Sequence, residues 1–148
     1  MGLRYACVES PKEIIDYGIA TVRPIGNSKT LQRAKQFIEY YKPTLVLIQD
    51  CESRYSRQGK RVAKLIDDIV VFSKRKKIPV KQYSREQIRD VFEQFGAKTK
   101  YEIAKTITRW LPELQHRSPR VRKLWMCEDY NMGIFDAMAL ALTHYYLE

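Results

Sequence analysis

The sequence predicts one α/β domain over residues 1–148, with a mixed sheet that opens on an antiparallel hairpin, continues in parallel strands and is flanked by helices. Three observations predict it. Two strand-like runs, Leu3 to Glu9 and Glu13 to Val22, are joined by a turn-forming Glu-Ser-Pro-Lys segment. The next two apolar runs alternate with helical patterns, and strands separated by helices pair in parallel. No repeat, low-complexity tract or linker-rich stretch divides the chain.

Each element has its own signal. Pro24, Gly26 and Asn27 break the chain after the hairpin, and Ser28 is placed to cap a helix reaching about Lys42. Leu31, Ala34, Phe37, Ile38 and Tyr41 form its apolar stripe, and Pro43 stops it. Thr44 to Ile48 is nearly continuously apolar, the pattern of a strand covered on both faces. A basic loop, Ser53 to Gly59, leads into a helix from Lys60 to about Lys76, with Val62, Leu65, Ile66, Ile69, Val70 and Phe72 turned inward.

Pro79 to Tyr83 reads as the last strand. Ser84 with Gln87, and Thr99 with Glu102, have capping-box spacing and open two further helices. The first of these ends at Gly96, and the second ends at Trp110, before Pro112. A basic loop, His116 to Lys123, precedes a final helix from about Asn131 to Tyr146.

The net charge of +10 points to an anionic partner, nucleic acid before a membrane surface, with a merely soluble basic protein as the plainer alternative. The longest apolar run, Ala137 to Leu142, is far short of the roughly 20 residues of a membrane span. Cys7, Cys51 and Cys127 lack the pairing of a zinc site, and their odd number argues against a disulfide framework. With no apolar signal segment at the N-terminus, a cytoplasmic location is expected. Gly59-Lys60-Arg61 lacks the upstream glycine and the Ser or Thr of a phosphate-cradling loop, and there is no His-Glu-x-x-His pair.

Two positions stand out as candidate chemistry. Asp50, with Glu52 beyond it, follows the most apolar strand, and in open α/β sheets function gathers outside the carboxyl ends of the strands. Asp136 interrupts a helix otherwise made of Ile134, Phe135 and Ala137 to Leu142, where an unpaired buried carboxylate would be costly. The plainer alternatives are that Asp50 starts a turn and that Asp136 faces water on the helix rim.

Asp136-Ala-Met-Ala-Leu-Ala-Leu-Thr-His144 closely resembles the closing helix of RuvC-type Holliday-junction resolvases, which have an RNase H-like fold. Gly2 to Glu9 and Ile15 to Gly18 are similar to the family's first two strands, and Leu45 to Asp50 to its acidic third strand. Glu128-Asp-Tyr130 and Phe135-Asp-Ala137 further resemble a group of bacterial RuvC-like proteins.

The resemblance implies Mg²⁺- or Mn²⁺-dependent endonuclease chemistry on branched DNA, by a homodimer. Asp50 and Asp136 would be catalytic, and Asp50, Asp136 and Asp129 would hold the metal. DNA would be gripped by Arg54, Arg57, Lys60, Arg61, Arg120, Arg122 and Lys123, with Lys64 and Arg117 nearby and Tyr55 and Trp125 interleaved. The alternative reading for Trp125 is core packing.

Three departures qualify this set. The family's first strand begins with an aspartate at a position that would precede Met1, so a shortened or frayed opening strand is expected. Gln49 aligns with the strand-end glutamate, and Gly133 stands where the family often has an acidic residue. A non-catalytic nucleic-acid-binding module on the same fold is therefore the second functional expectation.

Overall fold

The computed structural model describes residues 2–22, 26–50, 57–119 and 131–147. The chain divides into two compact units, one of Met1–Leu3 with Ala20–Arg85, the other of Arg4–Ile19 with Glu86–Glu148.

The opening hairpin is longer than the sequence suggested. Strand β1 spans Gly2–Ser10, β2 spans Glu13–Thr21, and the two are hydrogen-bonded to each other. The expected fraying of the first strand is thus corrected: β1 holds nine residues in a strand. Pro11 and Lys12 make the turn, where the Lys12 N–H donates to Ser10 Oγ at 3.3 Å.

In the first unit, helix α1 (Asn27–Tyr41) packs on helix α2 (Arg57–Arg75). Ala34, Ile38 and Ile66 are buried there. Ser28 lies inside α1 and not at its cap. Gly26 takes the cap position, and its carbonyl accepts from Thr30 N and from Thr30 Oγ1 at 3.2 and 3.0 Å. At the other end, Lys42 adopts a left-handed conformation and its N–H returns to the Ile38 carbonyl at 3.0 Å.

Strands β3 (Val46–Gln49) and β4 (Val80–Tyr83) pair in parallel, Val46 opposite Val80 and Gln49 opposite Tyr83. The strand signal from Thr44 shrinks to four residues because β4 offers only four partners. Strand β3 is half-buried throughout and not fully covered. Among the described residues the strands form two two-stranded sheets, β1–β2 and β3–β4. The hairpin, the parallel pair and the flanking helices make the mixed α/β architecture expected from the sequence.

In the second unit, helix α3 (Arg85–Glu93) is closed by the turn at Gly96, at φ +80°. Helix α4 (Lys100–Trp110) is capped by Thr99, and helix α5 (Met132–Leu147) packs against α4. Phe92, Ala104, Ile107, Leu114, Ile134 and Phe135 are at most 1% exposed and form the core of this unit. The buried Thr108 and Thr143 hydroxyls donate to the carbonyls four residues back, Ala104 and Ala139, so neither is stranded in apolar surroundings. One correction follows at Pro112: the segment Pro112–Arg117 is a 3-10 helix, so His116 and Arg117 are not in a loop.

Candidate nucleic-acid interface

The best-defined polar constellation joins the first turn of α4 to the second turn of α5. Thr99 Oγ1 accepts from the Glu102 N–H at 3.2 Å, which sets the start of α4 and places Lys100 at its first position. Lys100 Nζ stands 3.4 Å from Asp136 Oδ2, and both side chains keep about a third of their area exposed, 35% and 37%. Asp136 therefore has a cationic partner and partial solvent contact on an otherwise apolar helix, which removes the cost of a buried lone charge. It also interrupts the apolar run without disturbing the core, because Phe135 and Met138 beside it remain buried.

One turn earlier, Arg4 of β1 lies across Gly133. A β-carbon on Gly133 would overlap Cγ, Cδ and Nε of that arginine. Residues three apart share a helix face, so the Arg4 seat and the Asp136 carboxylate are neighbours on α5.

Arg117 Nη1 donates to Asn131 Oδ1 at 3.0 Å and joins the 3-10 helix to the residue before α5. Tyr17 Oη and His116 Nε2 are hydrogen-bonded at 3.3 Å. Lys105 Nζ donates to Ser118 Oγ at 2.9 Å.

In the first unit, Asp50 is half-buried directly after β3, and its N–H donates to the Tyr83 carbonyl at 2.9 Å, extending the ladder by one residue. Lys60, Arg61 and Lys64 are exposed on α2. The Arg57 backbone begins that helix. Glu52, Arg54, Tyr55, Arg120, Arg122, Lys123, Trp125, Glu128 and Asp129 lie outside the described residues. Asp50 and Asp136 belong to different units.

The described donors do not fit a centre for two divalent cations. No group of three or more His, Cys, Asp or Glu side chains able to hold a metal occurs among the described residues. Gly133 offers no side-chain oxygen, Gln49 offers only a neutral amide, and the side chains of Arg4 and Lys100 lie beside Gly133 and Asp136. Neither cation was singled out from sequence.

No family model matches the chain, and no curated protein matches it in sequence. Among solved structures it is similar to Thermus thermophilus RuvC, at TM-score 0.64 and 18% identity, over 98% of this chain and 86% of that one. It is also similar to T. thermophilus RuvC in complex with Holliday junction substrate, at TM-score 0.58 and 19% identity, over 98% and 85% of the two chains. Among the described residues no helix is long and apolar enough to cross a membrane. Agreement over nearly the whole chain at such low identity establishes the architecture, and the chain has the fold of RuvC.

Proposed function

We propose that this chain binds branched DNA through a basic surface carried on the RuvC fold. The observation that carries the reading is the likeness, over 98% of the chain, to a RuvC that holds a Holliday junction. The net charge of +10 and the exposed Lys60, Arg61 and Lys64 support it. Arg54, Arg57, Arg120, Arg122 and Lys123 would extend the contact, and a homodimer would match the two-fold symmetry of a four-way junction. A salt titration with a labelled four-way junction tests the reading. With about five phosphate contacts, log K should fall against log salt with a slope near −4 to −5. A flat response, or no binding at low salt, overturns it.

A second reading, phosphodiester cleavage with Mg²⁺ or Mn²⁺ on Asp50, Asp136 and Asp129, is favoured by the partial exposure of the Asp136 carboxylate on an apolar helix. Against it stand the Lys100 ion pair and the lack of a side-chain carboxylate at Gly133. Cleavage of the junction in Mn²⁺, lost in Asp136→Asn, would establish this reading. An uncleaved junction, with no effect of Mn²⁺ on the thermal midpoint, would leave DNA binding alone.

A further inference from the structure

Helices α1 and α2 of the first unit run in the same direction and end side by side. Near their starts Asn27 Nδ2 donates to the Arg61 carbonyl at 2.8 Å, and at their ends Lys76 Nζ stands 3.6 Å from Glu39 Oε1. Each helix is closed by a lysine in the left-handed conformation, Lys42 at φ 46° and Lys77 at φ 60°. At α2 the Lys77 N–H reaches the Lys74 carbonyl at 3.0 Å and the Ile78 N–H reaches that of Ser73 at 2.9 Å. Glycine is the favoured residue at such a closure, and Gly96 takes it after α3. A left-handed lysine carries a cost that glycine avoids. The helix macrodipole returns less than that cost to an exposed cation, and at α2 Lys74 and Arg75 in the last turn already supply the cation. Both closures thus keep lysine against the preference of the backbone, which points to a use for the charge itself.

Lys42, Lys74, Arg75, Lys76 and Lys77 are all exposed. Lys76 pairs with Glu39, and the other four make no ion pair among the described residues. This end of the helices lies where β3 and β4 begin, marked by the Val46 N–H on the Pro79 carbonyl at 3.0 Å, whereas Asp50 follows the far end of β3. From Lys60 to Lys74 helix α2 rises about 21 Å. The exposed Asp67 lies between them, so the cluster is separate from the one formed by Lys60, Arg61 and Lys64.

We propose that the joined ends of α1 and α2 form a second DNA-binding surface, which holds the phosphate backbone of a duplex arm through Lys42, Lys74, Arg75 and Lys77. The surface rests on the DNA-binding reading above. Duplex DNA carries one negative charge per about 1.7 Å of its axis, a fixed charge density that complements this array of cations. Ammonium and guanidinium groups both donate charge-assisted hydrogen bonds to phosphate oxygens.

The test is fluorescence anisotropy with a labelled four-way junction in EDTA, over a range of salt. Lys42→Gly combined with Lys77→Gly should bind at least about tenfold more weakly, with a salt slope shallower by about 2. Its thermal midpoint should stay the same or rise, because glycine suits both closures. Lys12→Gln combined with Lys98→Gln removes the same charge from the second unit and should bind like the wild type. Equal weakening in the two double variants overturns the surface, since net charge alone would then account for the loss. Wild-type binding by the glycine variant, with an unchanged slope, also overturns it and leaves the DNA-binding reading standing. Poly-glutamate bound by the wild type and not by that variant would then assign the surface to an acidic protein partner. Wild-type protein that fails to bind the junction at low salt overturns the DNA-binding reading and this surface together.

Discussion

Lys100, at the start of α4, and Asp136, one turn into α5, meet across two packed helices, Nζ 3.4 Å from Oδ2. Each side chain is about a third exposed, so solvent screens most of their attraction and the pair adds little to stability. Lys100→Met should lower the stability of the fold by no more than about 1 kcal/mol. On the DNA-binding reading proposed above, junction binding should nevertheless weaken, because the chain loses one positive charge. Asp136→Asn should act in the opposite direction on binding, leaving it equal or slightly tighter, since the lysine is no longer held by a carboxylate. Thermal melts and anisotropy on the two variants check this. A Lys100→Met protein that melts far below the wild type would make the pair structural.

The cap of α4 fixes where that lysine stands. Thr99 Oγ1 satisfies the Glu102 N–H, one of the amides that the first helical turn cannot pair internally. Thr99→Ala should cost about 1 kcal/mol in a urea titration. Serine at the same position should recover most of the loss, and an unchanged midpoint in Thr99→Ala would remove the cap from the account.

The elements were legible in the sequence wherever a local rule decides them. The capping signature at Thr99, the stop at Gly96, the alternation of apolar stripes and the hairpin turn at Pro11 and Lys12 all act within a few residues. What escaped is set by distant partners. Strand β3 is cut to Val46–Gln49 by the length of β4, although Thr44 and Leu45 have equal strand character. The run after Pro112 reads as a basic loop from its charges, but Leu114 is fully buried and pins it as a 3-10 helix.

The candidate site divides in the same way. Asp136 was visible because a charge in an apolar helix conflicts with its surroundings. Arg4 was not, because a lone arginine in a strand is unremarkable until the fold lays it across Gly133. Sequence marked the carboxylate and missed its partner Lys100, since an ion pair between distant segments leaves no periodic trace.

Gly96 tests a purely conformational demand. Its φ of +80° closes α3, the Ala97 N–H reaching the Phe92 carbonyl at 3.1 Å and the Gly96 N–H reaching Glu93 at 3.0 Å. Nothing lies within 4 Å of where a β-carbon would be, so steric crowding by neighbours plays no part. Gly96→Ala should therefore cost about 1–2 kcal/mol, the price of a left-handed backbone for an L-residue. Gly96→Asn should lose less, because asparagine tolerates that region better. Equal stability of all three proteins in urea would contradict the assignment.

Cys7 offers a test of electrostatics in the second unit. Burial pushes its thiol above the ordinary value, and the negative charges of Asp16 and then Glu9 push it in the same direction. Asp16 is fixed in place by Tyr5 Oη, which donates to Oδ2 at 3.3 Å, and by the Tyr17 N–H, which donates to Oδ1 at 2.8 Å. A folded-state pKa above the unfolded one means that the neutral thiol is the form the fold prefers. Its contribution to stability is fully present below the unfolded thiol pKa of about 8.5, and it is lost as pH rises through the folded value. Alkylation of the folded chain by iodoacetamide, read peptide by peptide to separate Cys7 from Cys51 and Cys127, should show a pH midpoint for Cys7 above that of the urea-unfolded chain. The midpoint is the quantity to compare, because limited access slows the rate at every pH without moving it. Asp16→Asn should bring the midpoint only part of the way down, since the larger cause, burial, remains. A folded midpoint at or below the unfolded one would show that Cys7 is not held as the thiol by its surroundings.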